Sequence, residues 1–403
     1  MEQIELLKQR KKRGYDIAQK SKVIFKNGKW LVPSQHNRST TYEVVLKIDK
    51  QECTCLDYSV RGLKCKHIFS VEYTISKQSE TEKITITKKV YGQNWKAYNL
   101  SQTQEQELFM KLLSELCQEI EQDQYVFGRP KLPLKDMVFS SALKVYSTFS
   151  LRRFICDMKT AKEKGYVSNV YSYSSVSNYM RNPELTPLLN SLITLSALPL
   201  KSVETAFAID SSGFRTTKFN DYCREKHRID KEHNWLKLHI CVGTKTNVIT
   251  ACEIGTGNHS SDSPQFIPLA KKTNESGFDI EEMSGDKAYS SRDNYGYVES
   301  IGGTAFIPYK SNATGKPRGK SHVWRKMFNY FVYNRDEFMQ HYHLRSNVET
   351  TFFMIKSKFT DVVRSKNEIA QKNELLLKVL CHNIVVLIQE TNELGVEPNF
   401  LSG

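Results

Sequence analysis

Apolar and polar positions change period along the chain. Residues 1–22 are charged and helix-permissive, and two β-rich runs follow, Lys22 to Val32 and Thr41 to Ile48. The first is broken by Asn27-Gly28, a dipeptide that favours a tight hairpin turn. From Gln102 to Ile120 the residues Leu108, Leu112, Leu113, Leu116 and Ile120 recur at helical spacing. Between Leu132 and Leu200 short helical patterns are interrupted by Gly165, Pro183, Pro187 and Pro199. A helix-turn-helix DNA reader and a plain supporting bundle both fit this stretch, because no spacing specifies a recognition helix. Near residue 204 the period switches to two. Phe207-Ala208-Ile209 leads into Asp210, and Trp235 to Val242 alternates Leu236, Leu238, Ile240 and Val242 against Lys237, His239 and Cys241. Val248 to Ile254 follows after a turn, which predicts a three-stranded meander with Asp210 on its first strand. Pro264 to Glu275 predicts a helix, Glu281 to Gly285 a short strand ending at Asp286, and Thr304 to Pro308 another. Strands first, then helices and strands in alternation, predict an α/β fold: a mixed sheet flanked by helices, preceded by a helical region and a small β-hairpin module.

Composition narrows the function classes. A chain of 403 residues is long enough for two or three domains. The expected divisions are 1–76, 77–127 (linker and helix), 128–203 (helical, DNA-binding), 204–390 (catalytic) and a tail over 391–403, with the polar run 77–89 as a soft boundary. The formal charge of +14, from 58 Lys and Arg against 44 Asp and Glu, favours a polyanionic partner, nucleic acid above all. No run approaches the roughly 20 apolar residues of a membrane helix, and the N-terminus has no apolar signal region, so a soluble cytoplasmic protein with no membrane partner is expected. Nine cysteines, of which only Cys53, Cys55 and Cys65 lie close together, favour a reducing compartment and metal ligation over a disulfide framework.

Cys53-Thr54-Cys55, nine residues, then Cys65-Lys66-His67 places four soft or borderline ligands within fifteen residues, as a tetrahedral structural zinc site requires. A set of reduced cysteines beside a hairpin is the plain alternative. A catalytic zinc fits less well, since all four positions are protein ligands. Cys223, His227 and His233 match no zinc spacing and read as ordinary polar residues. The C-x-C-x9-C-x-H pattern, with the hairpin before it and the run Ile68, Phe69, Val71, Tyr73 after it, resembles the SWIM zinc finger over residues 22–76. The resemblance implies one structural zinc and a module of a kind that binds DNA or protein.

The segment His341 to Lys358 contains Tyr342, Arg345, Glu349 and Lys356. On one continuous helix their side chains would fall within an arc of about 60°. Taken alone, such a face is an ordinary surface ion-pair row. The spacing Y-x2-R-x3-E-x6-K resembles that of the insertion-sequence DDE transposases. Asp210 in Phe207-Ala208-Ile209-Asp210-Ser211-Ser212, and Asp286 in Gly285-Asp286-Lys287-Ala288-Tyr289, resemble the first and second acids of that family. Gly257-Asn258-His259 followed by Asp262 is a further family-like segment, and the resemblance spans roughly residues 128–390. It implies an RNase H-like domain in which Asp210, Asp286 and Glu349 hold two magnesium or manganese ions for DNA phosphoryl transfer, because hard divalent ions prefer carboxylate oxygen. It also implies that Tyr342, Arg345 and Lys356 hold DNA phosphates. The partners it implies are double-stranded element ends and target DNA, with a homodimer when ends are synapsed in a prokaryotic nucleoid.

His259 and Asp262 leave two readings open: an approach to the metal site, or a polar turn in which Asp262 or Ser263 caps the helix after Pro264. The basic loop Lys310 to Lys320 is expected along DNA, and Trp324 beyond it is expected in the core rather than stacked on a flipped base. A non-catalytic DNA-binding or adaptor protein derived from a transposase is the competing function, although all three acids and their Tyr, Arg and Lys companions are present.

Overall fold

The computed structural model describes residues 2–26, 28–35, 40–46, 51–80, 94–122, 127, 131–216, 235–256, 262–316 and 322–400. Cys223, His227, His233, the Gly257-Asn258-His259 segment and residues 317–320 of the basic loop lie outside the described residues. The chain divides into two compact units. One comprises 1–90, 290–300 and 305–343; the other comprises 91–289, 301–304 and 344–403.

In the first unit, helix α1 (Glu2–Lys20) precedes strands β1 (Ile24–Lys26), β2 (Lys29–Pro33), β3 (Thr41–Leu46) and β4 (Gln51–Cys53). They form one antiparallel sheet in chain order, so the expected hairpin is half of a four-stranded meander. Gly28 turns β1 into β2 at φ +81°, a conformation glycine adopts without steric cost. Helices α2 (Leu56–Arg61) and α3 (Lys66–Glu80) follow, so residues 77–80 of the expected linker are helical. Trp30, Val32, Val44, Ile68, Val71 and Ile75 bury their side chains together with Ile17 of α1. Gly14 lets α1 lie against α3: a Cβ there would stand 2.5 Å from Phe69 Cβ and 2.9 Å from the Lys66 carbonyl. Helices Arg292–Ser300, His322–Tyr333 and Arg335–Tyr342 complete this unit. Trp324 is buried among Tyr295 and Tyr309 and donates from Nε1 to the Thr314 carbonyl at 2.8 Å, which bears out its expected core role.

The second unit opens with helices α4 (Trp95–Gln118), α5 (Leu134–Tyr146), α6 (Ile155–Glu163), α7 (Tyr173–Tyr179) and α8 (Leu185–Ala197). Its sheet follows as β5 (Ala206–Arg215), β6 (Trp235–Gly243) and β7 (Ile249–Thr256), then helix α9 (Phe266–Glu275), β8 (Glu282–Gly285) and β9 (Thr304–Phe306). The strand order is β7-β6-β5-β8-β9, with β5, β6 and β7 an antiparallel meander and β8 parallel to β5. This is the mixed, helix-flanked α/β sheet expected of a DDE domain. β6 differs from its predicted alternation: His239 and Cys241 are fully buried along with their apolar neighbours. The strand lies inside the sheet, where both faces are covered and a polar position need not meet water. Helices α10 (Ser346–Phe359) and α11 (Glu368–Leu394) close the unit. α11 is buried on every side from Asn373 to Ile388 and packs against α4, α5 and α8, so the helical stretch before the sheet is built as a bundle around it.

Candidate metal centre and acidic site

Each zinc-type ligand is placed by the start or end of an element. Cys53 ends β4, Cys55 is the N-cap of α2 with its sulfur accepting the Tyr58 N–H, Cys65 immediately precedes α3, and His67 lies in the first turn of α3. All four are buried, and their ligand atoms lie within 4.8 Å of one another. His67 Nδ1 faces Cys53 Sγ at 3.8 Å and Cys65 Sγ at 3.9 Å, and its ring stacks on Tyr42 with centroids 4.3 Å apart. The hydrogen bond from Cys53 holds the Cys65 thiol down, to about 4, while the same bond and burial push Cys53 up and burial pushes Cys55 up. Three buried thiols and an imidazole converging on one point fit a tetrahedral thiolate-binding ion, which takes cysteine as thiolate. Among the described residues this is the one group of three or more His, Cys, Asp or Glu side chains drawn close enough to share an ion.

The acidic site is built on the central strand of the second unit. β5 is flanked by β6 and β8, and its residues Phe207, Ala208 and Ile209 are fully buried, which fixes the register in which Asp210 follows them on the central strand. Asp286 follows the last residue of β8, the strand parallel to β5, and its Oδ1 accepts the Lys287 N–H at 2.5 Å. Glu349 lies in the first turn of α10 and is exposed. Arg345 joins two of the three acids: Nη1 donates to Asp210 Oδ2 at 2.5 Å and Nη2 to Glu349 Oε1 at 2.6 Å. Burial pushes the Asp210 carboxyl up. The Ser211 N–H and the Arg345 guanidinium work against that shift, and the Asp286 and Glu349 charges add to it. The three acids therefore share one electrostatic neighbourhood without touching as ligands. A guanidinium held between two of them shows that the site stabilises positive charge there, and an all-carboxylate donor set suits a hard divalent ion.

Lys356, two turns further along α10, donates to Ser212 Oγ at 2.7 Å and sits 5.1 Å from the centre of the Phe214 ring, with its pKa lowered chiefly by burial. Ser212 and Phe214 point to the same face of β5 as Asp210, so Lys356 lies on the acidic face. One expectation is corrected. Tyr342 does not share a helix with Glu349: helix Arg335–Tyr342 ends there, a 3₁₀ turn spans His343–Arg345, and α10 begins at Ser346. A 3₁₀ turn winds at three residues per turn, so the periodicity that places four side chains on one continuous face does not apply across it. Asp262 also departs from a capping role. It flanks the short 3₁₀ turn Ser263–Gln265 but makes no cap hydrogen bond.

Two family models match the chain over the regions that hold these residues. Residues 201–384, which contain Asp210, Asp286 and Glu349, match the model described as Transposase DDE domain. Residues 42–75, which contain all four Cys and His ligands, match the SWIM zinc finger. Among solved structures, a piggyBac transposase synaptic complex with hairpin DNA, determined by cryo-EM, aligns over 73% of this chain and 74% of its own at 10% identity and a TM-score of 0.36, a likeness too distant to match side chains.

Proposed function

From a chain that carries a transposase DDE domain and a SWIM zinc finger, we propose a DNA transposase that binds the ends of its element and cuts and joins DNA strands at Asp210, Asp286 and Glu349. The observation that carries this reading is the meeting of Asp210 and Glu349 on Arg345, with the Asp286 charge felt at Asp210, inside the matched domain. The three carboxylates would hold two divalent ions, magnesium or manganese, which when bound activate the attacking oxygen and stabilise the leaving one. Cys53, Cys55, Cys65 and His67 would hold one structural zinc.

The chain's own groups have separable roles. Arg345 neutralises Asp210 and Glu349 before DNA arrives, and its guanidinium fork suits a phosphate as well as a carboxylate. Lys356 presents an ammonium on the acidic face, and Tyr342 a phenol at the end of the preceding helix; both are proposed as phosphate-holding groups. The net charge of +14 supplies the long-range attraction to a polyanion. With purified protein, manganese and a DNA duplex carrying the element end, cleavage and strand transfer are expected from the native chain and are expected to disappear in Asp210→Asn and Glu349→Gln. Unchanged strand transfer in either variant rules this mechanism out.

A further inference from the structure

On the face of β5 opposite Asp210, a knot of polar side chains interrupts the core. Side chains alternate across a strand, so Ser211 points away from the acidic face while its N–H donates to Asp210 Oδ1 at 2.8 Å. Ser211 Oγ donates to Asp262 Oδ1 at 2.9 Å. Lys237 of β6 pairs with the same oxygen at 2.6 Å, and the fully buried His239, directly across the ladder from Ser211, brings Nδ1 to 3.7 Å of it. Burial opposes the Asp262 charge, but Lys237 and Ser211 outweigh it and hold the carboxyl below its ordinary range.

The turn that carries Asp286 reaches the same place. Tyr289 donates its N–H to the Asp286 carbonyl at 2.9 Å, and its fully buried ring packs against Phe266 with centroids 5.8 Å apart. Gly285 makes room for this packing, since a Cβ there would lie 3.3 Å from the Tyr289 ring and 3.4 Å from the Phe266 ring. Burial, and after it the Asp262 and Asp210 carboxylates, push the Tyr289 phenol up, which places Asp262 within its field. The strand bearing Asp210 and the turn bearing Asp286 are thus both seated on the surroundings of one carboxylate.

We propose that Asp262 is a positioning residue that sets the spacing of Asp210 and Asp286, acting through Ser211 on one side and the Tyr289 turn on the other, and so sets the site's affinity for divalent metal. This rests on reading those two acids as metal ligands. Near-octahedral ions tolerate little displacement of their oxygens, and residues that orient metal ligands are typically worth about 10- to 100-fold in affinity.

Calorimetric titration of manganese into the zinc-loaded full-length protein tests the inference without measuring turnover. Asp262→Asn and Ser211→Ala are expected to weaken manganese binding by about tenfold or more. Ser211→Thr, which keeps the hydroxyl, is expected to bind as the native chain does, and zinc content is expected to be unchanged in all three. Native affinity in folded Asp262→Asn and Ser211→Ala overturns the positioning role and leaves the metal-ligand reading standing. If the native chain binds no manganese beyond zinc, or Asp210→Asn binds as well as the native chain, both readings fall. Ser211→Ala removes a single hydroxyl oxygen from a half-buried position, so it carries the test if Asp262→Asn does not fold.

Discussion

Arg345 binds two carboxylates through two different nitrogens, a geometry that a single ammonium cannot copy. Arg345→Lys is therefore expected to lower the rate of DNA strand cleavage about a hundredfold at saturating manganese, read in a single-turnover cleavage assay. At the zinc cluster, Cys65→Ala removes one of the two thiols that face His67 Nδ1, and the purified variant is expected to contain substoichiometric zinc by a colorimetric release assay. The two sites differ in how far the sequence discloses them. The four zinc-type ligands fall within fifteen residues, so spacing alone brings them forward. Asp210, Asp286 and Glu349 needed the surrounding motifs. Asp262 could not be read as part of a network, because Ser211 and Lys237 meet it only after β5 and β6 pair and the chain returns past β7.

The elements respond to substitutions through their packing. Gly14→Val would drive a branched side chain into Phe69 and the Lys66 carbonyl, forcing α1 off α3; a loss of about 1 to 3 kcal/mol in the first unit is expected, measured by denaturant unfolding. On α11, burial and then the neighbouring Glu393 and Glu204 push Glu390 up to about 8, from an ordinary value of 4.5. A carboxyl raised in the folded state holds its proton better than in the unfolded chain. Its contribution is fully present below about 4.5 and is lost as pH rises through about 8. Glu390→Gln is expected to stabilise the protein by about 1 to 3 kcal/mol near pH 9 and to have a much smaller effect near pH 5, read as thermal midpoints at both values. Periodicity located these helices and strands well, including the meander and the short strand before Asp286. It did not disclose the break at His343–Arg345, since spacing along a chain carries no record of where the hydrogen bonds change from four residues to three. Nor could the alternation in β6 reveal that helices cover both faces of the sheet, which only the folded bundle determines.

The chain divides into two compact units, and both are assembled from separated stretches of sequence. Tyr333 packs on the zinc-cluster core, and the Arg325 guanidinium lies 5.4 Å from the centre of the Phe25 ring, so residues 305–343 fold with the N-terminal module. This grouping was invisible in the sequence, where the stretch stands between Asp286 and Glu349. Nearly everything from Ser290 to His343 belongs to that first unit, while Asp286 lies just before it and Arg345 and Glu349 just after. The first unit thus takes in most of the chain that runs from the Asp286 turn to α10, and joins it to the N-terminal module. Stripping the metal from Cys53, Cys55, Cys65 and His67 is accordingly expected to speed amide hydrogen exchange in helix His322–Tyr333, more than two hundred residues further along the chain, because Tyr333 packs on the core to which the cysteine ligands belong; exchange measured on zinc-loaded and zinc-free protein checks it.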